Sequence, residues 1–288
     1  MKNNFQTNTN KEILLPKYIY RYYSFPDKDC IKRVSEIFVE RKLFFPSPAK
    51  FNDPFDCKAL SLGFNGSPEE LKEYLRGQAE RLHPDWESNK KTTLVDERMR
   101  NGAYEALKGD FFTNVLKERA EQHGVLCLSK APDNLLMWSH YTNGHKGFCL
   151  QFLHADPFFM RAQKVKYSDE YPTVNVMVSD PEQTEFENML ITKTKCWEYE
   201  QEWRLLEIGG ANKHFIFPEG SLTGVFLGCQ MDQHHKFFLS SLIANMSNPP
   251  NLFQARLKNN KFGIEFRPMS VSINEKTIIQ PVFDSIDP

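Results

Sequence analysis

The chain has 288 residues, enough for one or two domains with a buried core, and its 36 Lys and Arg against 37 Asp and Glu leave a formal charge of -1, which supplies no overall field for holding a polyanion. Six cysteines (Cys30, Cys57, Cys127, Cys149, Cys196, Cys229) stand singly, without the C-x-x-C spacing of a zinc site or the density of a disulfide scaffold. Residues 1–11 lack the apolar stretch of a secretory signal, and no apolar run approaches the roughly 20 residues that span a bilayer, so a soluble, cytoplasmic protein with no membrane partner is expected.

One α+β domain over residues 12–288 is expected, preceded by a disordered segment at 1–11. Lys17 to Tyr23 (KYIYRYY) is aromatic and β-branched and predicts a strand; Asp27 to Glu40 carries Ile31, Val34, Ile37 and Phe38 at helical spacing. Lys42 to Phe45 reads as a short strand, followed by a turn-rich loop through Pro46-Ser47-Pro48 and Phe51-Asn52-Asp53-Pro54, in which Asn52 and Asp53 are expected to cap turns. Residues 67–120 are polar and helix-prone, opening with Ser67-Pro68-Glu69-Glu70 as an N-cap with proline at the first helical position, and read as a helical insertion. Gly124 to Ser129 predicts a buried strand, Asn134 to Tyr141 a short helix, and Gly147 to Phe152 another strand. Lys164 to Tyr167, Trp197 to Ile208 and Leu222 to Leu227 predict further strands, Glu182 to Met189 and Asp232 to Ala244 helices, and Lys261 to Phe283 a return to strands. This irregular mixture favours an α+β fold with a mainly antiparallel β core over a doubly wound parallel sheet. With aromatics at 13% of the chain, 24 of them Phe, its core or pocket is expected to be built largely of rings.

Read as one continuous strand, WEYEQEWRLL puts Glu198, Glu200, Glu202 and Arg204 on one face and Trp197, Tyr199, Trp203 and Leu205 on the other, which is expected to pack in the core. Glu200 and Glu202 then sit about 7 Å apart, where each raises the other's pKa unless a cation such as Arg204 compensates. Such a carboxylate could orient a ribose hydroxyl and stabilise an oxocarbenium ion; the same pattern also suits a solvated edge strand carrying a ladder of salt bridges. Between two strands, CLSKAPDNLLMWSHYTNGHKGFCL concentrates Ser129, Trp138, His140, Tyr141, Asn143, His145 and Lys146. Trp138 and Tyr141, three apart, share a helical face and could wall a pocket, whereas His140 and His145, five apart, lack the spacing of a helical metal pair, and no metal site is expected. Arg21, in a strand of aromatics, needs a partner: Glu200 or Glu202 in a structural bridge, or a phosphate gripped bidentately.

Tyr20-Arg21-Tyr22, LFFPSPAKFNDPFD at Leu43 to Asp56, the Val125 to Phe152 segment with MWSHYTNGHKG at its core, and WEYEQEWRL together resemble the bacterial family catalogued as domain of unknown function 2971. A weaker resemblance is to the ADP-ribosyltransferase fold, in which an early-strand Arg or His, a Ser ending a middle strand and a later Glu occur in the order of Arg21, Ser129 and Glu202. Glu200-Gln201-Glu202 is similar to that fold's paired-carboxylate variant, while Lys130 stands after Ser129 where Thr-Ser is usual. The resemblance implies NAD as co-substrate, Arg21 holding its phosphates or ribose, Ser129 shaping the nicotinamide pocket, Tyr141 or Trp138 stacking on the ring, and Glu202 gripping the ribose 2′-hydroxyl. Glu202, Glu200 and Arg21 are thus the candidate catalytic residues, and Arg21, Ser129, Trp138, His140, Tyr141, His145 and Arg204 the candidate binding residues. The expected activity is cleavage of the nicotinamide glycosidic bond, by transfer to a protein or nucleic-acid acceptor or by hydrolysis, in a toxin or phage-defence setting. The alternatives are a hydrolase or nuclease using His140 and His145 as acid and base, and a non-enzymatic module that senses a nucleotide.

Overall fold

The computed structural model describes residues 15–61, 67–104, 111–174 and 184–269. The first half of the chain runs β1 (Tyr18–Tyr23), α1 (Cys30–Phe38), β2 (Lys42–Phe45), β3 (Leu60–Ser61), α2 (Pro68–Leu82), α3 (Ser88–Arg100), α4 (Phe111–Glu121), β4 (Gly124–Ser129) and α5 (Leu135–Tyr141). There follow β5 (Phe148–Leu153), β6 (Gln163–Lys164), β7 (Lys166–Ser168), β8 (Thr173–Val174), α6 (Thr184–Leu190), β9 (Thr192–Thr194), a 3-10 helix at Lys195–Glu200, and β10 (Glu202–Glu207). The last elements are β11 (Lys213–Ile216), β12 (Leu222–Leu227), α7 (Gln233–Ala244), β13 (Asn251–Leu257) and β14 (Ile264–Pro268). The order lacks regular βα alternation and the large sheet is mainly antiparallel, so the fold is α+β as expected. The chain divides into two compact units: Met1–Lys42, Pro132–Asp156 and Phe217–Pro288 in the first, Leu43–Ala131 and Pro157–Ile216 in the second.

In the first unit the strands pair in the order β14-β13-β12-β5-β1, antiparallel except for β12 with β13. β5 lies inside this order, and its Phe148, Cys149, Leu150 and Phe152 are all fully buried, which accounts for its nearly continuous apolar run. Phe148 meets Tyr23, Phe25 and Phe38 at centroid distances of 5.4, 6.0 and 6.0 Å, so β1 and the buried stripe of α1 close on one aromatic cluster. Caps fix where the helices start: Asn134 Oδ1 accepts from the Leu136 and Met137 amides, and Asp232 Oδ1 from the His235 amide. The turn after α5 passes so close to β1 that a Cβ on Gly147 would collide with the Tyr23 carbonyl, which only glycine avoids. Of the strands expected over Lys261 to Phe283, β14 supplies residues 264–268, and positions from 270 on lie outside the described residues, as does the expected disordered segment at 1–11. β13 was not anticipated, because its buried Gln254 interrupts the apolar alternation; the amide is satisfied by donating to the Leu227, Gly228 and Ala255 carbonyls.

In the second unit β10 is flanked on both sides, pairing antiparallel with β4 (Glu202 opposite Ser129) and with β6. The expected insertion is helical where it is described. Ser67 and Glu70 form a reciprocal capping box at the start of α2, and Leu71, Leu75, Ala79 and Val95 pack α2 on α3. A separate cluster joins Cys57, Leu116, Ala120, Val174, Phe186, Met189 and Leu190.

The expectation of one strand from Trp197 to Ile208 is corrected. Residues 195–200 form a 3-10 helix, Gln201 takes the left-handed conformation at φ 46°, and only Glu202 onward is strand. Trp197 and Tyr199 are therefore half-buried and Glu198 is exposed, whereas in the strand Trp203 and Leu205 pack in the core as expected and Glu202 and Arg204 on the opposite face are buried as well. The chain turns here because Glu200 is held from two sides: its carbonyl accepts from Ser129 Oγ at 2.6 Å and its carboxylate from Lys193 at 2.6 Å.

Candidate functional site

Five charged side chains of the second unit converge in its interior: Asp56, Lys193, Glu200, Glu202 and Arg204, each no more than 7% exposed. Arg204 is the centre. Its Nε and Nη2 grip Glu202 at 2.8 and 3.1 Å, Nη1 and Nη2 grip Asp56 at 2.9 and 2.7 Å, and Nη1 also donates to the Leu190 carbonyl at 2.6 Å. This planar fork serves two carboxylates bidentately, a geometry Lys lacks. Lys193 Nζ completes the network, 2.6 Å from Glu200, 3.1 Å from Glu202 and 3.7 Å from Asp56, while its ammonium lies 4.9 Å from the Trp197 ring centroid. The Glu202 amide donates to the Tyr167 hydroxyl at 2.8 Å, anchoring the first residue of β10.

Burial alone would raise the Glu202 carboxyl, but the Arg204 guanidinium and Lys193 ammonium outweigh it and hold the group down at about 2. Burial would likewise lower Lys193, and the carboxylates of Glu202, Glu200 and Asp56 reverse that and raise it. The network therefore sets three carboxyl side chains, with Glu202 held in its ionised form, against two cations. The solvated edge ladder weighed for this strand is replaced by a buried cluster, and the like-charge repulsion between Glu200 and Glu202 is relieved by Lys193 as well as Arg204.

Lys193 also reaches the wall of a pocket of about 220 Å³, lined with it by Thr192, Thr194, Ser168, Lys58, Phe55 and Tyr171 among others. Phe55 and Tyr171 are exposed, at 61% and 39%. Lys58 stands over the Phe55 ring at 5.6 Å, and Asp169 on the same wall is engaged by Lys195 at 2.8 Å. The lining thus combines two rings, the lysines Lys58 and Lys193, the carboxylates Asp169 and Glu170, and several hydroxyls around a small volume.

Of the residues singled out in the sequence, Glu200, Glu202 and Arg204 are brought together in this network. Ser129, 1% exposed, is joined to it through the main chain, its hydroxyl donating to the Glu200 carbonyl and accepting from the Ala131 amide. Arg21 belongs to the first unit, on β1, with its guanidinium 5.5 Å from the Tyr23 ring. Trp138, expected to wall a pocket, is fully buried; Nε1 donates to the Pro132 carbonyl at 2.8 Å, and the ring meets Tyr22 edge-on at 5.5 Å. The indole is a core residue with its polar atom satisfied, and Tyr141 is half-buried on the same short helix. His145 stacks on Trp138 at 6.4 Å, where burial lowers its pKa, while His140 is exposed; among the described residues no contact joins the two rings.

Asp56, Lys193 and Tyr167 were not singled out as site residues. Asp56 follows an Asx turn, which Asp53 does form by accepting from the Phe55 amide at 2.9 Å, and the turn signal masked the ion-pair partner three residues on. Lys193 sits in Thr192-Lys193-Thr194-Lys195, which reads as solvated polar chain. The one signal available was charge balance: an Arg between buried strand residues demands carboxylates, and three carboxylates demand a second cation.

Among the described residues no group of three or more His, Cys, Asp or Glu side chains could hold a metal ion, and no helix is long and apolar enough to cross a membrane. No curated protein and no solved structure matches the chain. Residues 137–205, from the buried face of α5 through Lys193 and the paired carboxylates to Arg204 and Leu205, match the family model described as Protein of unknown function (DUF2971).

Proposed function

We propose that the protein binds a nucleotide in the pocket beside Lys193, with Phe55 and Tyr171 stacking on the base and Lys58 and Lys193 meeting the phosphates. The observation that carries this reading is the double placement of Lys193, a residue of the pocket's lining whose ammonium holds Glu200 and Glu202. A ligand anion that draws on Lys193 is thereby coupled to the two carboxyl groups it holds. Titration of the protein with NAD, ADP-ribose and AMP by calorimetry tests it. Tyr171→Ala removes one exposed ring and should weaken binding roughly 5- to 150-fold, the range of one base-stacking contact. No heat with any of the three ligands, or unchanged affinity in Tyr171→Ala together with Lys58→Ala, refutes the pocket.

A second reading is cleavage of the nicotinamide glycosidic bond of NAD, by transfer of ADP-ribose or by hydrolysis. Its support is the ionised state of Glu202, since a carboxylate beside a developing oxocarbenium ion must carry its charge. Free nicotinamide after incubation with NAD, absent with Glu202→Gln of native fold, supports it; full release by that variant rejects the carboxylate mechanism. Binding without release leaves the protein a nucleotide sensor. The toxin or phage-defence setting is a proposal resting on the family resemblance alone.

A further inference from the structure

The hairpin of β13 and β14 in the first unit has a composition unlike the chain as a whole. Arg256 to Arg267 holds Arg256, Lys258, Lys261 and Arg267 against one carboxylate, Glu265, in a protein whose charges otherwise balance. Glu265 is opposite Arg256 in the strand register and accepts from Arg267 Nε and Nη2 at 2.9 and 2.7 Å. Lys258 and Lys261 flank the tip, the Lys258 stem lying against Gly263. Beside them Phe262 is fully exposed, its whole ring in solvent, and Leu257, Asn259, Asn260 and Lys261 are exposed as well. At the base of the hairpin lies a groove of about 430 Å³ lined by Gln230, Gln233, Lys236, Gln254, Arg256 and Met269. Gln254 spends its amide nitrogen on three main-chain carbonyls, so what it offers a ligand is the amide oxygen.

An anionic membrane and a single-stranded nucleic acid would both meet these cations. One Phe and one Leu offer too little apolar surface to anchor a protein in lipid, since burying each contributes only about 1.5–3 kcal/mol. Asn and Gln amides, by contrast, match the hydrogen-bonding edges of bases, and a bare ring between lysines is a stacking platform of the kind single strands use. We propose that the β13–β14 hairpin and the groove at its base form a docking surface for single-stranded nucleic acid, with Phe262 stacking on a base and Lys236, Arg256, Lys258 and Lys261 following the phosphates. This goes beyond the nucleotide pocket, which lies in the other unit, and needs none of its residues.

The test is fluorescence anisotropy of a fluorescein-labelled oligothymidylate titrated with the full chain at several salt concentrations. Binding should weaken steeply as salt rises, because each phosphate contact releases a counterion. Phe262→Ala should weaken it roughly 5- to 150-fold with Phe262→Trp retaining it, and Lys258→Glu with Lys261→Glu should weaken it and flatten the salt dependence of the binding that is left. All these side chains are at the surface, and circular dichroism confirms the fold of each variant. Three results overturn the proposal: no anisotropy change for the wild type at low salt, equal or tighter binding of the duplex of the same length, or affinity unaffected by both sets of changes. Sedimentation with phosphatidylserine vesicles that is lost in Phe262→Ala, without oligonucleotide binding, would assign the surface to lipid instead.

Discussion

Replacing Arg204 by Met should be among the most damaging single changes in the second unit. The guanidinium is fully buried and spends its donors on Asp56, Glu202 and the Leu190 carbonyl. Without it, three buried carboxylates face a single ammonium, Lys193, which is already within 3.7 Å of all of them. Breaking a buried ion pair by removing one partner costs about 3–5 kcal/mol, and at about 2–4 °C per kcal/mol the melting temperature should fall by roughly 6–20 °C. The cost arises from the stranded carboxylates more than from lost packing, so adding Asp56→Asn and Glu202→Gln to Arg204→Met should recover part of the loss instead of deepening it. Calorimetric melting of the wild type, the single variant and the triple variant reads both effects. A single variant melting within about 2 °C of wild type would refute the network as a stabilising element, and a triple variant less stable than the single one would refute the charge argument.

The same network should shape the response to acid. The folded value of Glu202, about 2, lies below the ordinary 4.5, so its contribution is complete above 4.5 and is lost as pH falls from there towards 2. Urea midpoints should drop across that window, and Glu202→Gln should flatten the drop. Trp138→Phe keeps a ring against Tyr22 but leaves the Pro132 carbonyl without its indole donor, which should cost about 1–3 kcal/mol in urea unfolding. Iodoacetamide should modify exposed Cys196 in the native protein, whereas Cys57 and Cys149, whose thiols burial pushes up, should react only on unfolding; mass spectrometry of native and denatured samples separates them.

Local pattern made most of the architecture legible. β1, β4, β5 and β12 are short apolar or aromatic runs bounded by polar chain, and α2 announces itself through Ser67-Pro68 and Glu70, which form the capping box. The misread boundary at Trp197 shows where local pattern stops. WEYEQEW alternates as a strand should, yet residues 195–200 coil because Ser129 and Lys193 hold the two ends of Glu200, and those partners lie 71 and 7 residues away. Tertiary partners overrode an alternation that was real in the sequence.

The candidate site follows the same logic in reverse. Trp138 and Ser129 have the side chains that often hold ligands, and here that capacity is spent inside the protein: the indole on Pro132, the serine on Glu200 and Ala131. Residue type alone cannot separate a binding side chain from a satisfied core one, since both need the same hydrogen bonds. Charge is different, because a buried ion cannot be satisfied by main chain alone at low cost. Once Arg204 is known to be buried, carboxylates beside it are required; once three are present, a second cation is required, and Lys193 supplies it at the edge of the pocket. Lys193, the residue with no local sequence signal, is thus the one that joins the buried carboxylates to the wall of the pocket.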